Sequence, residues 1–285
     1  MNRRWHGSIL VLISAVSFGL MPIFARFAYG RDVGVQELLF MRFLLAFLLM
    51  GIFLRLAGTV SIPKRKDLLG LLALGGIGYY LQSTFYFTAL LYIPVSVAAL
   101  VLNTYPTFVT AGSLALGWEK ASVSVVLSLS LALVGLALVA NPIMSAAGFG
   151  VLIAFGAAIT YTAYILISTR TLKGLTGELG SFYIMGAASL SFGTSSLLTG
   201  QLRLAWSLEA WVWVLMISVI STSLAITAFF QGLKLVGPTR TSILSTAELV
   251  TSVVAAAVIF NENLTITQLI GGLLIISATI STALS

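Results

Sequence analysis

The sequence predicts an all-α integral membrane protein: ten transmembrane helices, forming two inverted five-helix repeats around a central cavity. Three observations predict it. The chain of 285 residues is 59% apolar and only 8% charged, far below the roughly 25% charge of a water-facing domain, and its mean hydropathy is +1.08. Its apolar residues fall into ten runs of the length that crosses the hydrocarbon core, about 20 residues each. Polar side chains recur midway along corresponding runs in the two halves, where lipid penalises them unless they face a partner or water.

The N-terminus, MNRRWHGSILVLISAVSFGLMPIF, has the basic start and apolar core of a signal peptide. The apolar run continues to about Ala28 without a small-x-small cleavage site, so it reads as an uncleaved first span. The ten spans lie near 7–28, 36–57, 67–88, 93–116, 121–140, 148–168, 178–199, 208–230, 238–260 and 264–284. Their connections are short and carry breakers: Gly30 to Gly34, Gly58 to Lys66, Asn141-Pro142, Gly174 to Gly177 and Gly237-Pro238. None has room for a soluble domain, and no Gly-rich phosphate loop is present.

The 26 glycines suit close helix packing in lipid. The lack of cysteine excludes disulfides, thiolate metal sites and cysteine nucleophiles. The net charge of +7 sits in loops between apolar runs, which points to membrane topology and not to a nucleic-acid partner. With the N-terminus in the cytoplasm, eleven Lys and Arg fall on that side, against Arg26, Arg31 and Arg203 opposite. Both termini are therefore expected in the cytoplasm.

Five spans per half make the second half enter from the opposite face, which divides the chain into repeats 1–143 and 144–285. Glu119 and Glu262, and Gly7 and Gly150, are each 143 residues apart. The fourth and ninth spans carry the matching polar stripes. Ser96, Asn103, Thr107, Thr110 and Ser113 follow helical spacing in one, and Thr241, Ser245, Glu248 and Ser252 in the other. At an offset of 142, Asn103 meets Ser245, Pro106 meets Glu248 and Thr110 meets Ser252, so the register carries an ambiguity of one residue. Facing each other, the stripes line a central cavity; apart, they are interhelical hydrogen bonds of an ordinary kind.

Glu248 stands near the bilayer centre, where an ionised carboxylate is expensive. It either binds an amine or couples proton movement, or it bridges backbone groups at a broken helix. Arg42, about six residues into the second span, is either its partner or snorkels to the outer surface. Pro106 and Pro22 each remove a backbone hydrogen bond inside a span, giving a gating hinge or a static kink. Tyr79, Tyr80, Gln82 and Ser83 cluster midway along the third span, Tyr161 and Tyr164 along the sixth, and Thr222 along the eighth. Aromatic walls with a few polar contacts suit a small amphipathic solute. The five tryptophans fall near span ends and read as interfacial anchors. His6, the lone histidine, has no companions for a metal site or triad, so neither enzyme nor cofactor is expected.

The stretches ELLFMRFLLAFLL (37–49), ALLYIPVSVAAL (89–100) through Pro106 to LALGWEK (114–120), LKLVGPTRTSIL (233–244) and AAVIFNENLTITQLIGGLLI (256–275) resemble the EamA domains of the drug/metabolite transporter superfamily. The likeness covers nearly the whole chain, and its motifs specify family better than substrate. It implies ten helices and secondary transport by alternating access across a bacterial inner membrane. Within the superfamily the chain is similar to YddG-type amino-acid exporters, which implies small-molecule substrates such as amino acids. Cationic drugs are the alternative solutes, protons are possible coupling ions, and a polytopic channel is the alternative mechanism.

Overall fold

The structure, a computed structural model, describes residues 3–117, 123–140, 144–171, 175–200, 202–236, 244–245 and 247–284. Trp118, Glu119, Lys120, Asn141-Pro142, Gly174, Gly237-Pro238 and Thr241 lie outside the described residues. Among those described, every regular element is helical. In lipid a helix satisfies its own backbone donors and acceptors, and these apolar runs leave it no competitor.

The first span is built from α1 (Arg3–Gly19) and α2 (Met21–Tyr29), and the second from α3 (Val35–Leu56). In the third, α4 (Arg65–Ala73) passes through a π-helical segment, Leu74–Tyr79, into α5 (Tyr80–Ala89). The fourth is α6 (Val95–Leu102) and α7 (Tyr105–Ala115); α8 (Val123–Ala140), α9 (Met144–Thr171) and α10 (Gly177–Leu198) follow. A second π-helical segment, Val219–Leu224, joins α11 (Leu208–Ser218) to α12 (Ala225–Val236), and α13 (Ala247–Phe260) and α14 (Ile266–Leu284) end the chain. Six of these stretches are long and apolar enough to cross a membrane: Trp5–Tyr29, Val35–Leu56, Arg65–Ala89, Val95–Ala115, Ala147–Ser168 and Leu208–Leu233.

The two intramembrane prolines sit where a helix restarts. Pro22 occupies the first turn of α2 and Pro106 the first turn of α7. Proline costs nothing there, because a first-turn N–H has no partner within its helix. The break therefore falls just before each proline. At the second break Asn103 Nδ2 donates to the Ala99 carbonyl (2.9 Å) and Thr104 Oγ1 to that of Val101 (2.7 Å).

Helices pack α1 against α12, α3 against α10, α5 against α9, α6 against α13, and α8 against α14. Gly75, in the first π-helical segment, lies directly against the Ile184 carbonyl of α10, and a Cβ there would also stand 2.8 Å from the Ala187 Cβ. Gly75→Ala is expected to destabilise the fold by about 1–3 kcal/mol through overpacking, read as a lower thermal midpoint in detergent.

The half of the bundle remote from the N-terminus holds much of the buried core. All of α6 is buried. Trp213 stacks on Phe27 at 4.3 Å and on Phe24 at 6.1 Å, and Phe27 also meets Phe260 at 5.3 Å. Trp213 thus serves as packing at this end of the bundle, where the sequence had suggested an interfacial anchor. Polar ties reinforce the packing. The Val95 and Ser96 N–H groups and the Ser96 hydroxyl donate to the Glu262 carboxylate (2.9, 3.0 and 2.6 Å), the Arg203 N–H donates to Glu37 (2.6 Å), and Arg26 donates to the Leu90 carbonyl. Arg31 pairs with Glu209 at 2.6 Å, with both side chains about half exposed, so water screens most of that attraction.

Candidate functional site

Where the packing opens, from the middle of the bundle toward the N-terminal end, a cavity of about 300 Å³ remains. It lies among α1, α3, the first π-helical segment, α7, α9, α10, α12 and the start of the ninth helical run. Helical spacing explains the contributions: Ser14 and Phe18 share one face of α1, Tyr161, Tyr164 and Ser168 one face of α9, and Ile226, Phe229 and Phe230 one face of α12.

The walls are aromatic and continuous. Phe43 meets Tyr79 edge-on at 5.1 Å, Tyr79 meets Tyr164 at 5.3 Å, Tyr164 stacks near Tyr161 at 5.9 Å, and Tyr161 meets Tyr105 at 4.5 Å. Such contacts hold the rings by geometry as well as by area. Against this wall stands Glu248, with Ser245 one turn before it. The Tyr86, Tyr105 and Tyr161 hydroxyls lie within electrostatic reach of the Glu248 carboxylate. Close approach of two helices sets its position: Gly19 lies against the Glu248 carbonyl and Thr251, and Ser252 donates to the Gly19 carbonyl at 2.8 Å. No Lys or Arg lines the cavity among the described residues.

Of the residues singled out from the sequence, Tyr79, Tyr161, Tyr164, Ser245 and Glu248 line this cavity. The others stand elsewhere. Tyr80 turns to α10, where its hydroxyl donates to Ser195 (3.0 Å) and its ring lies 4.5 Å from Phe192. Gln82 and Ser83 are buried and bonded to each other at 3.2 Å. Asn103 is folded back on its own helix at the α6–α7 break. Thr222 is buried in the second π-helical segment, donating to the Ile217 carbonyl at 2.9 Å.

Arg42 does not snorkel: it is 1% exposed. Its Nε donates to Thr222 Oγ1 at 2.9 Å, and its guanidinium faces the rings of Phe43 (4.8 Å) and Phe87 (5.2 Å). The Tyr79, Tyr29 and Tyr86 side chains stand around it. One ion pair, Arg31–Glu209, is formed among the described residues, so Arg42 is not paired with Glu248.

Ser14, Phe18, Phe43, Tyr105, Ser168, Ser181, Phe229 and Phe230 line the cavity without having been singled out. For Ser14, Phe18, Ser168, Phe229 and Phe230 the signal was the helical recurrence of aromatics and hydroxyls along the first, sixth and eighth spans, which apolar neighbours obscure; Phe43, Tyr105 and Ser181 carried no such pattern. The Ser14 Oγ is buried without a hydrogen-bond partner.

A polytopic helical bundle enclosing a solute-sized cavity within the membrane defines the class: a multi-pass membrane transporter. The EamA-like transporter family profile matches residues 5–141 and again residues 148–284, and the chain belongs to that family. It is 29% identical over 273 residues to an uncharacterized transporter of Archaeoglobus fulgidus, covering 95% of this chain and 94% of that one. It is also 29% identical over 299 residues to the uncharacterized inner membrane transporter YicL of Salmonella typhimurium, covering 98% and 96%. A solved crystal structure shares the fold, with a TM-score of 0.68 at 20% identity over 98% of this chain and 96% of that one.

Proposed function

We propose that this transporter is a secondary carrier exporting small amphipathic metabolites, amino acids foremost and aromatic ones among them, across the bacterial inner membrane by alternating access. The observation that carries the reading is the cavity at mid-bundle, where Glu248 faces a wall of Tyr and Phe rings. The amine of the solute sits at Glu248 and Ser245, and its apolar part lies against Tyr79 and Tyr161. Tyr80, through Ser195, and Thr222, through Arg42, tie neighbouring helices behind this surface, and the breaks at Pro22 and Pro106 serve as hinges. At about 300 Å³ the cavity stands at the small end of ligand sites, as a metabolite requires.

The architecture proposed is two five-span units, 1–143 and 144–285, inserted in opposite senses. Several observations support it. The two family matches begin 143 residues apart, at 5 and 148. Packing of the first span on the eighth recurs as packing of the sixth on the third. At the same offset, Gly7 lies against Leu235 and Val236, and Gly150 against Tyr92 and Ile93. The π-helical segments fall in the third and eighth runs, the same place in each unit.

Both termini are assigned to the cytoplasm from the distribution of Lys and Arg. The cavity then lies toward the cytoplasm, where an exporter loads its solute, and the buried α6 and the Trp213–Phe27 stack stand toward the opposite end. Glu248 is also the residue on which proton coupling would act.

One observation favours a second reading. With no Lys or Arg in the cavity wall among the described residues, a cationic drug without a carboxylate also satisfies the site. A radiolabelled panel in proteoliposomes, run with and without a proton gradient, tests both. The expected result is saturable uptake and counterflow of aromatic amino acids. Movement of cations alone selects the second reading, and unsaturable flux without counterflow selects a channel.

A further inference from the structure

Several hydroxyls in this bundle bond to their own helix. Ser130, Thr160, Thr162, Ser218 and Thr251 each donate to the carbonyl four residues back, the usual arrangement where no water competes. Five hydroxyls among the described residues, those of Ser14, Thr84, Thr107, Ser196 and Ser221, are instead buried without a hydrogen-bond partner, and of these only Ser14 stands at the cavity. It lines the cavity together with Ser245 and Glu248.

Helix register brings the three residues to one end of the cavity. Gly19 lies beside Glu248 and Thr251, and Phe27 lies beside Phe260, so the first and ninth helical runs advance in the same direction. One turn before Gly19 on the first run, at Ser14 and Ala15, therefore stands level with one turn before Glu248, at Ser245.

An ammonium group presents three N–H donors and calls for three acceptors. We propose that Ser14, Ser245 and Glu248 form a three-acceptor seat for a primary ammonium group, so that the carrier distinguishes primary amines from their N-trimethylated counterparts. The inference rests on the reading of Glu248 as the amine site. A trimethylammonium still engages the rings of Tyr105 and Tyr161 through cation–π attraction. It has no N–H to donate, and it leaves the three oxygens unmet. Ser14, an ordinary serine in an apolar span by sequence, becomes a specificity-determining residue.

The test is competition binding to the full-length purified protein, with phenethylamine and trimethyl(phenethyl)ammonium as probes. Wild type is expected to prefer the primary amine by about tenfold or more, the effect of one to two hydrogen bonds. Ser14→Ala should cut that preference to about twofold by weakening the primary amine, leaving the trimethyl probe and the thermal midpoint unchanged. Ser245→Ala provides the same readout should Ser14→Ala fail to fold. An unchanged preference in the folded serine variants overturns the seat, and the amine reading survives that result if Glu248→Gln still weakens both probes. If Glu248→Gln moves neither probe, or neither binds to wild type, the amine reading itself falls and the seat with it.

Discussion

Glu248→Gln is expected to lower kcat/KM for amine-bearing solutes by about ten- to a hundredfold while leaving the protein folded. The change keeps the size of the side chain and removes its charge. A charge-assisted hydrogen bond contributes about 1.5–3 kcal/mol, and each 1.4 kcal/mol is a factor of ten. The fold should not suffer, because the Glu248 carboxylate forms no ion pair with a described residue and faces the cavity. What holds this part of α13 in place is its backbone contact with Gly19 and the Ser252 bond, and neither involves the carboxylate. Initial rates of uptake across about pH 5 to 8 provide the second readout. Wild-type rates should vary with pH as the carboxylate titrates, and the glutamine variant should give a flat profile. Identical profiles for the two proteins would leave Glu248 a structural role only.

The helices were legible in the sequence because each is a long apolar run closed by Gly, Pro or charge, and lipid permits such a run no other fold. Both proline breaks were legible for the same reason, although the chain turns just before each proline and not at it. The π-helical segments were not. Their extra residue is accommodated by packing, at Gly75 against α10 and through the Thr222 and Ser223 hydroxyls, which reach carbonyls five residues back.

Facing was the hardest thing to read. Tyr79 and Tyr80 are neighbours in sequence, yet about 100° of helical rotation sends one to the cavity and the other to Ser195 of α10. Asn103 shows a different limit. An amide at a helix break has a carbonyl of its own helix within reach, and here it takes that local bond, sharing the Ala99 oxygen with its own backbone N–H. Glu248 was conspicuous because a lone carboxylate at mid-span needs a reason, whereas a serine such as Ser14 does not.

Arg42 is where stability and transport should separate. Replacing it by Met keeps most of the volume and removes a cation that is 1% exposed. Taking a guanidinium out of water costs several kcal/mol, which one bond to Thr222 and the faces of Phe43 and Phe87 offset only in part. Substituting a buried charge by a well-packed apolar side chain is often neutral or stabilising, by up to about 4 kcal/mol. Arg42→Met should therefore melt at or above the wild-type temperature. Transport should nevertheless fall by about tenfold or more, because the guanidinium ties α3 to Thr222 in one π-helical segment and stands near Tyr79 at the end of the other. Tyr79 in turn forms part of the cavity wall, against Phe43 and Tyr164. Arg42→Lys keeps the charge without the planar fork and should recover stability without full transport. A methionine variant that unfolds would make Arg42 a structural residue, and one that transports normally would remove it from the mechanism. A stable, inactive variant would mean that the charge is kept for movement between states at some cost to the resting fold.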